Sequence, residues 1–154
     1  MLRVTLAALH LIALGLGMGA VLGRGNSLLE PLTAGSVQRA LRADALWGIA
    51  AGLWLITGVW RLVAGLEKPT EYYTHNLFFF AKMGCFVLIL VLEVWPMLTL
   101  MRWRGALRRS HHMKDVVAPG TARRIGMISH TEALLVLLMV IFATAMARGY
   151  GLTP

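Results

Sequence analysis

The sequence predicts an all-α integral membrane protein, a bundle of four helices. Of its 154 residues 58% are hydrophobic and only 14% are charged, a composition too apolar for a water-soluble domain of this size. The apolar residues form four long runs, and each run can cross a hydrocarbon core of about 30 Å, which needs roughly 20 helical residues. The single cysteine, Cys85, excludes an internal disulfide framework. We therefore expect one membrane domain over residues 1–154.

The apolar runs set the order of the elements. They predict spans over residues 4–22, 45–63, 77–101 and 127–147. The first run follows a basic residue, as a signal peptide does, but its length and internal histidine favour a retained helix. The second span is predicted to begin earlier, as an interfacial helix over 36–44 with Ser36 as its N-cap. Residues 102–126 are predicted to form a basic loop.

Lysine and arginine are distributed unevenly between the ends of the spans. Ten of the fifteen fall in the connection after the first span and in 102–126, four lie towards the opposite ends, and Lys82 is inside the third span. Because cytoplasmic loops are enriched in positive charge, we predict both termini on the outer, periplasmic side. The positive charge of 102–126 is expected to contact anionic lipid headgroups, and nucleic acid is not an expected partner.

Two ionisable residues fall in the outer half of the predicted spans. His10 and Lys82 lie at one depth, roughly 8–9 Å below the outer edge at 1.5 Å per residue. A charge in the hydrocarbon costs on the order of 3 kcal/mol unless it is paired or hydrated. Neutral imidazole is a common haem ligand, and Lys82 is the candidate catalytic residue, as a second ligand, a counter-charge or a proton donor. The alternatives are a hydrogen-bonded His10 and a snorkelling Lys82.

Two acidic residues, Glu93 and Glu132, fall in the inner half of the spans. The nearest basic residues belong to the connection after the first span, namely Arg24, Arg39 and Arg42. Structural ion pairs with these arginines are the favoured interpretation, and a proton path stays open as the other. Asp44, at the predicted interface, is expected to balance Arg42.

Several short motifs are spread over nearly the whole chain. They are Ala8-Leu9-His10-Leu11-Ile12, Gly-Leu-Glu-Lys at 65–68, Tyr72-Tyr73, Ala81-Lys82-Met83, Leu92-Glu93, Pro96-Met97 and Arg102-Trp103-Arg104. Together they resemble a family of small bacterial predicted membrane proteins of unknown function, which implies a multi-pass protein of the bacterial inner membrane. More remotely, the layout is similar to the HemJ-type protoporphyrinogen IX oxidases and to the copper-resistance D family.

The HemJ-type resemblance implies haem b as a cofactor. It places His10 as the iron ligand and Lys82, Arg39 and Arg42 as further cofactor-binding residues. The histidine found two residues before the lysine in HemJ-type chains is Phe80 here. The resemblance therefore implies haem binding more directly than porphyrin oxidation.

The resulting hypothesis is a membrane-embedded haem b protein that acts in electron transfer or porphyrin oxidation. One alternative is a copper-handling or transport protein in which His10, the methionines and Glu93 line a path. Another is a non-catalytic subunit or assembly factor of a larger membrane complex, or a homo-oligomer, in which the polar residues serve helix packing.

Overall fold

The computed structural model describes residues 1–64, 72–73, 75–109 and 112–151. Within them the chain forms α1 (Leu2–Leu29), α2 (Ala34–Val63), α3 (Leu77–Arg109), the short α4 (Met113–Val116) and α5 (Pro119–Ala147). The four long helices are each long and apolar enough to cross a membrane. This confirms the predicted class of an all-α, four-span membrane protein.

All four long helices extend beyond the apolar runs that predict them. In particular, 102–109 continue α3 and 119–126 begin α5, so much of the predicted basic loop is helical. Pro119 occupies the first turn of α5, where the missing N–H of proline costs no hydrogen bond. Residues 110–111 of the predicted loop and the motif at 65–68 lie outside the described residues.

The start of α2 is fixed by a reciprocal cap. Thr33 is the N-cap, and its hydroxyl accepts from the Ser36 backbone N–H at 3.1 Å, while the Ser36 hydroxyl accepts from the Thr33 N–H at 2.9 Å. The prediction of Ser36 as the N-cap is therefore wrong by three residues, because Ser36 is the far partner of the capping pair.

The long helices run alternately up and down, so both described ends of the chain lie at one end of the bundle. α1 packs against α2 and α5, and α3 packs mainly against α5. α2 and α3 contact each other much less, which leaves a seam between them. The side of the membrane on which the termini lie stays a prediction.

The apolar core is divided into two parts. The part nearer the chain ends comprises Ala20, Val21, Trp47, Ile89, Ala133, Leu135, Val136 and Met139. The other part comprises Leu28, Val37, Ala40, Leu100, Trp103, Val117, Ala122 and Ile125. On every long helix a polar residue lies between the two parts, and these residues form the site described below.

Two glycines bring α1 and α5 close together beside that site. A Cβ added to Gly126 would lie 2.8 Å from Leu29 Cγ and 3.2 Å from the Gly25 carbonyl oxygen. A Cβ added to Gly25 would lie 2.7 Å from the His130 ring. The helices therefore cross at a distance that only glycine permits.

Candidate functional site

A buried arginine joins all four long helices. Arg24 of α1 donates from Nε to Ser129 Oγ at 2.9 Å and from Nη1 to Asp44 Oδ1 at 3.0 Å. Its Nη1 and Nη2 each donate to a carboxylate oxygen of Glu93 at 2.8 Å, and Nη2 also donates to Glu132 Oε2 at 2.6 Å. These five bonds match the five N–H donors of a guanidinium group. We call these five residues the Arg24 cluster.

The carboxylates of the Arg24 cluster are bound in different ways. Glu93 of α3 forms a bidentate ion pair with Arg24, the geometry that best suits an ionised carboxylate. Glu132 of α5 meets Arg24 through one oxygen only, and its Oε1 is buried with no hydrogen-bond partner among the described residues. Such an orphaned buried oxygen costs free energy unless something binds it.

The charges around Arg24 do not balance. The three carboxylates of the cluster face two guanidinium groups, because Arg104 Nη2 lies 3.6 Å from Asp44 Oδ2 as well as donating to the Leu41 carbonyl at 2.7 Å. With all three carboxyl groups ionised, the Arg24 cluster and Arg104 together therefore hold one more negative than positive charge, in a place largely shielded from water. Such an excess favours the uptake of a cation.

The side chains in and next to the Arg24 cluster differ in their exposure. The side chains of Arg24 and Glu132 are fully buried, whereas those of Asp44, Glu93 and Arg104 are 10%, 18% and 37% exposed. The three partly exposed side chains lie on α2 and α3. The open side is therefore the seam between these two helices.

The structure shows which arginine each of the predicted acidic residues pairs with. Glu93 and Glu132 both pair with Arg24. The expected pairing of Asp44 with Arg42 is wrong, because Asp44 pairs with Arg24 and approaches Arg104. Arg42 is exposed. Whether the acidic residues are structural or carry protons stays a prediction.

Sequence reasoning missed two members of this neighbourhood. Ser129 precedes Glu132 by three residues, and Arg104 follows Glu93 by eleven, so each shares a helix face with an acidic residue. The signal was present in both spacings. It was overlooked because both residues fell close to or within the predicted loop.

Near the other end of the bundle, His10 belongs to an aromatic layer. Its Nδ1 lies 2.9 Å from Thr57 Oγ1, and its ring stacks on Trp54 with 5.2 Å between centroids. The Thr57 hydroxyl also lies 2.8 Å from the Leu53 carbonyl oxygen, to which it can donate. When it does so, it accepts from Nδ1–H of His10, and Nε2 of the neutral ring is the acceptor nitrogen.

Lys82 is partly buried on α3, one turn before Phe86. Phe86 meets Trp54 edge-on at 5.9 Å, which places the turn after Lys82 against the aromatic layer of His10. The indole N–H of Trp54 is buried and has no hydrogen-bond partner within the described ranges. The predicted common level of His10 and Lys82 is compatible with this arrangement, and their shared role stays a prediction.

The two arginines that the resemblance assigns to the cofactor lie elsewhere. Arg39 pairs with Glu30 at 2.7 Å, and both side chains are more than half exposed. Arg42 precedes Thr57, the partner of His10, by fifteen residues of α2, about 22 Å along the helix. Arg39 and Arg42 therefore lie towards the end of the bundle that is opposite to His10.

Within residues 1–64, 72–73, 75–109 and 112–151, no set of three or more His, Cys, Asp or Glu side chains is placed to hold a metal ion. Met97 and Met101, which the copper interpretation places along a path, are 41% and 57% exposed. The Arg24 cluster is therefore the best-defined polar site in the described chain.

A family model with the description "Predicted membrane protein (DUF2214)" matches residues 2–151. No curated protein and no solved structure matches the chain.

Proposed function

This chain belongs to the DUF2214 family of predicted membrane proteins, and we propose that its bundle binds and releases a proton at the Arg24 cluster. The observation that carries the proposal is the fully buried Glu132, whose Oε1 has no hydrogen-bond partner in the part of the chain that the structure describes. A proton-coupled step in transport or electron transfer is the function class that such a site suits.

A proton fits the cluster better than a metal ion does. Arg24 already occupies the space between the three carboxylates and uses all its donors on them and on Ser129. A second cation of atomic size would have to displace this guanidinium group. A proton needs no such space, and it removes the excess negative charge that burial makes costly.

Within the cluster, Glu132 is the residue that suits the proton. Both carboxylate oxygens of Glu93 accept from Arg24, so protonation of Glu93 would break a bidentate ion pair. Glu132 has one oxygen to spare and is the more deeply buried of the two. Asp44 and Glu93 are partly exposed at the seam between α2 and α3, and we propose that they pass the proton to and from Glu132.

Replacing Glu132 with glutamine tests where the proton resides, because glutamine mimics a protonated glutamate. We expect Glu132→Gln to change the free energy of unfolding by less than about 1 kcal/mol, and Glu93→Gln to cost about 3 kcal/mol or more by breaking the ionised pair. The infrared band of a buried protonated carboxylic acid should disappear in Glu132→Gln. Proton flux into vesicles, followed with a pH-sensitive dye, should fall to the level of empty vesicles.

The control for this test is Glu30→Gln, which removes a carboxylate from the exposed Arg39 pair. It should keep the infrared band and the proton flux. If the band persists in Glu132→Gln, or if that variant loses as much stability as Glu93→Gln, then Glu132 is ionised and the proposal is wrong.

A second candidate function, haem b binding, rests on the contact between His10 and Thr57. Metal-ligating histidines commonly donate their other ring N–H to an oxygen, and Nδ1 of His10 lies 2.9 Å from the Thr57 hydroxyl oxygen. His10 would hold the iron through Nε2, with Lys82 as the candidate second ligand, and bound haem would supply one-electron redox chemistry. Trp54 and Phe86 supply an apolar wall beside the imidazole.

Absorption spectroscopy tests this candidate directly. Protein purified from haem-replete cells should show a Soret band, and His10→Ala should remove most of it. His130→Ala is the matched control, because His130 is also a hydrogen-bonded histidine but contacts Gly126 and Asn26 beside the Arg24 cluster. A wild-type protein with no Soret band, or equal bands in both variants, would remove the candidate.

A further inference from the structure

The C-terminal part of α3 carries a groove on its outer surface. The groove has a volume of about 690 Å³ and is lined by Leu98, Met101, Arg102, Gly105, Ala106 and Arg109. We call it the Arg102 groove. It begins on apolar residues of the predicted span and ends on two arginines beyond it.

The two arginines of the groove lie on one face of the helix. Arg102 and Arg109 are seven residues apart, which is close to two turns and about 10 Å along the axis. Gly105 between them has no side chain, and a Cβ built there would lie 3.8 Å from Arg109 Nη2. The Arg109 guanidinium is therefore folded back over Gly105, towards Arg102.

The charge of the groove is of one sign. No acidic side chain is among the lining residues that the structure describes. Arg104, which lies between the two arginines in sequence, is engaged elsewhere with Leu41 and Asp44. The side chains of Arg102 and Arg109 are exposed, so they can bind an anion that arrives from outside the bundle.

The opposite end of the groove is apolar and also exposed. Leu98 and Met101 are 44% and 57% exposed, on a helix apolar enough to cross a membrane. The surface thus changes from apolar to cationic within about three turns. A molecule that fits both ends has a hydrocarbon chain and an anionic group next to it.

We propose that the Arg102 groove is a binding site for an anionic phospholipid. The phosphate lies between the guanidinium groups of Arg102 and Arg109, and one acyl chain follows Leu98 and Met101. A zwitterionic phospholipid carries the same phosphate together with a cationic group that two arginines repel. The groove therefore selects for net negative charge in the headgroup. This proposal does not depend on the proton site.

Lipid selectivity can be measured in nanodiscs or by native mass spectrometry. The probes are phosphatidylglycerol and phosphatidylcholine with identical acyl chains. Arg102→Gln/Arg109→Gln removes the two guanidinium groups that hold the phosphate and repel a cationic headgroup. We expect it to reduce the preference for phosphatidylglycerol by about tenfold or more, the effect of losing contacts to a charged group.

The control is Arg108→Gln/Arg124→Gln, which removes the same charge from exposed positions outside the groove. It should keep most of the preference. Equal losses in the two double variants would mean that only overall charge matters, and the proposal would be wrong.

A third variant keeps the charge and fills the groove. Gly105→Leu places an apolar side chain where Arg109 folds back. We expect it to weaken phosphatidylglycerol binding at least threefold, because the lipid then buries fewer of its own methylene groups against the helix. Unchanged binding would overturn the groove as the site. Inorganic phosphate is the remaining probe, and if it protects the protein from thermal unfolding as well as the lipid does, the acyl chain plays no part and the proposal fails.

Discussion

Replacing Arg24 with methionine is expected to destabilise the bundle by about 3 to 5 kcal/mol at neutral pH, the usual cost of removing one partner of a buried ion pair. Methionine leaves Asp44, Glu93 and Glu132 without the guanidinium group that contacts all three. Asp44 and Glu93 would then be largely buried charges lacking their main donor. Because protonation removes those charges, the stability of the variant should rise as the pH is lowered.

Thermal or denaturant unfolding in a mild detergent, followed across a pH series, measures this effect. Arg39→Met is the matched control, since the exposed pair of Arg39 and Glu30 is worth at most about 1 kcal/mol. Arg24→Lys should recover only part of the lost stability, because an ammonium group cannot form the bidentate pair with Glu93. A stable Arg24→Met variant with no response to acid would show that the cluster does not hold the helices together.

Replacing Gly126 with valine is expected to cost about 1 to 3 kcal/mol, the usual range for overpacking a tight contact. The added Cβ would lie within 3.2 Å of the Gly25 carbonyl oxygen, a backbone atom that cannot turn aside. α1 and α5 must then separate at the level of Ser129, which bonds Arg24. We therefore expect the variant to lose both packing and the geometry of the Arg24 cluster.

The control for Gly126→Val is Gly48→Val, on α2. No atom of the described residues lies within 4 Å of a Cβ added to Gly48, so the substitution should be neutral or slightly stabilising, because glycine is the poorer helix former. Unfolding free energies of the two variants, measured side by side, separate the effect of crowding from that of the valine itself. Equal stabilities would mean that the α1–α5 crossing yields easily.

Hydropathy was sufficient to predict the four helices but not their ends. The apolar runs mark the part of each helix that fits in lipid, and this signal stops where charges begin. Helix formation does not stop there, because the charged residues of 102–109 are themselves good helix formers. The ends depend instead on local features such as the Thr33–Ser36 cap and Pro119.

The charge cluster was partly predictable from depth alone. Counting residues placed Glu93 and Glu132 at the inner half of the spans, near Arg24. The choice of Arg24 over Arg39 and Arg42 could not be read from the sequence. That choice follows from the close crossing of α1 and α5 and from the rotation of α1 about its axis, which turns Arg24 inward.

The surroundings of His10 were less predictable still. Its neighbours Thr57 and Trp54 lie on α2, and which face of α2 turns towards α1 depends on how two apolar helices pack. Both helices carry apolar residues almost all round, so periodicity gives little guidance. The haem hypothesis therefore depended on a shared depth and on a family likeness.

The placement of one arginine and its three acidic partners on four separate helices affects how the chain enters the bilayer. Arg24 and Asp44 are only twenty residues apart on the first two helices, so this hairpin can leave the ribosome and insert with its opposite charges already matched. Glu93 and Glu132 are synthesised later. They enter lipid either as neutral acids or by docking on the cation that is already in place, which makes the early hairpin a template for the late one.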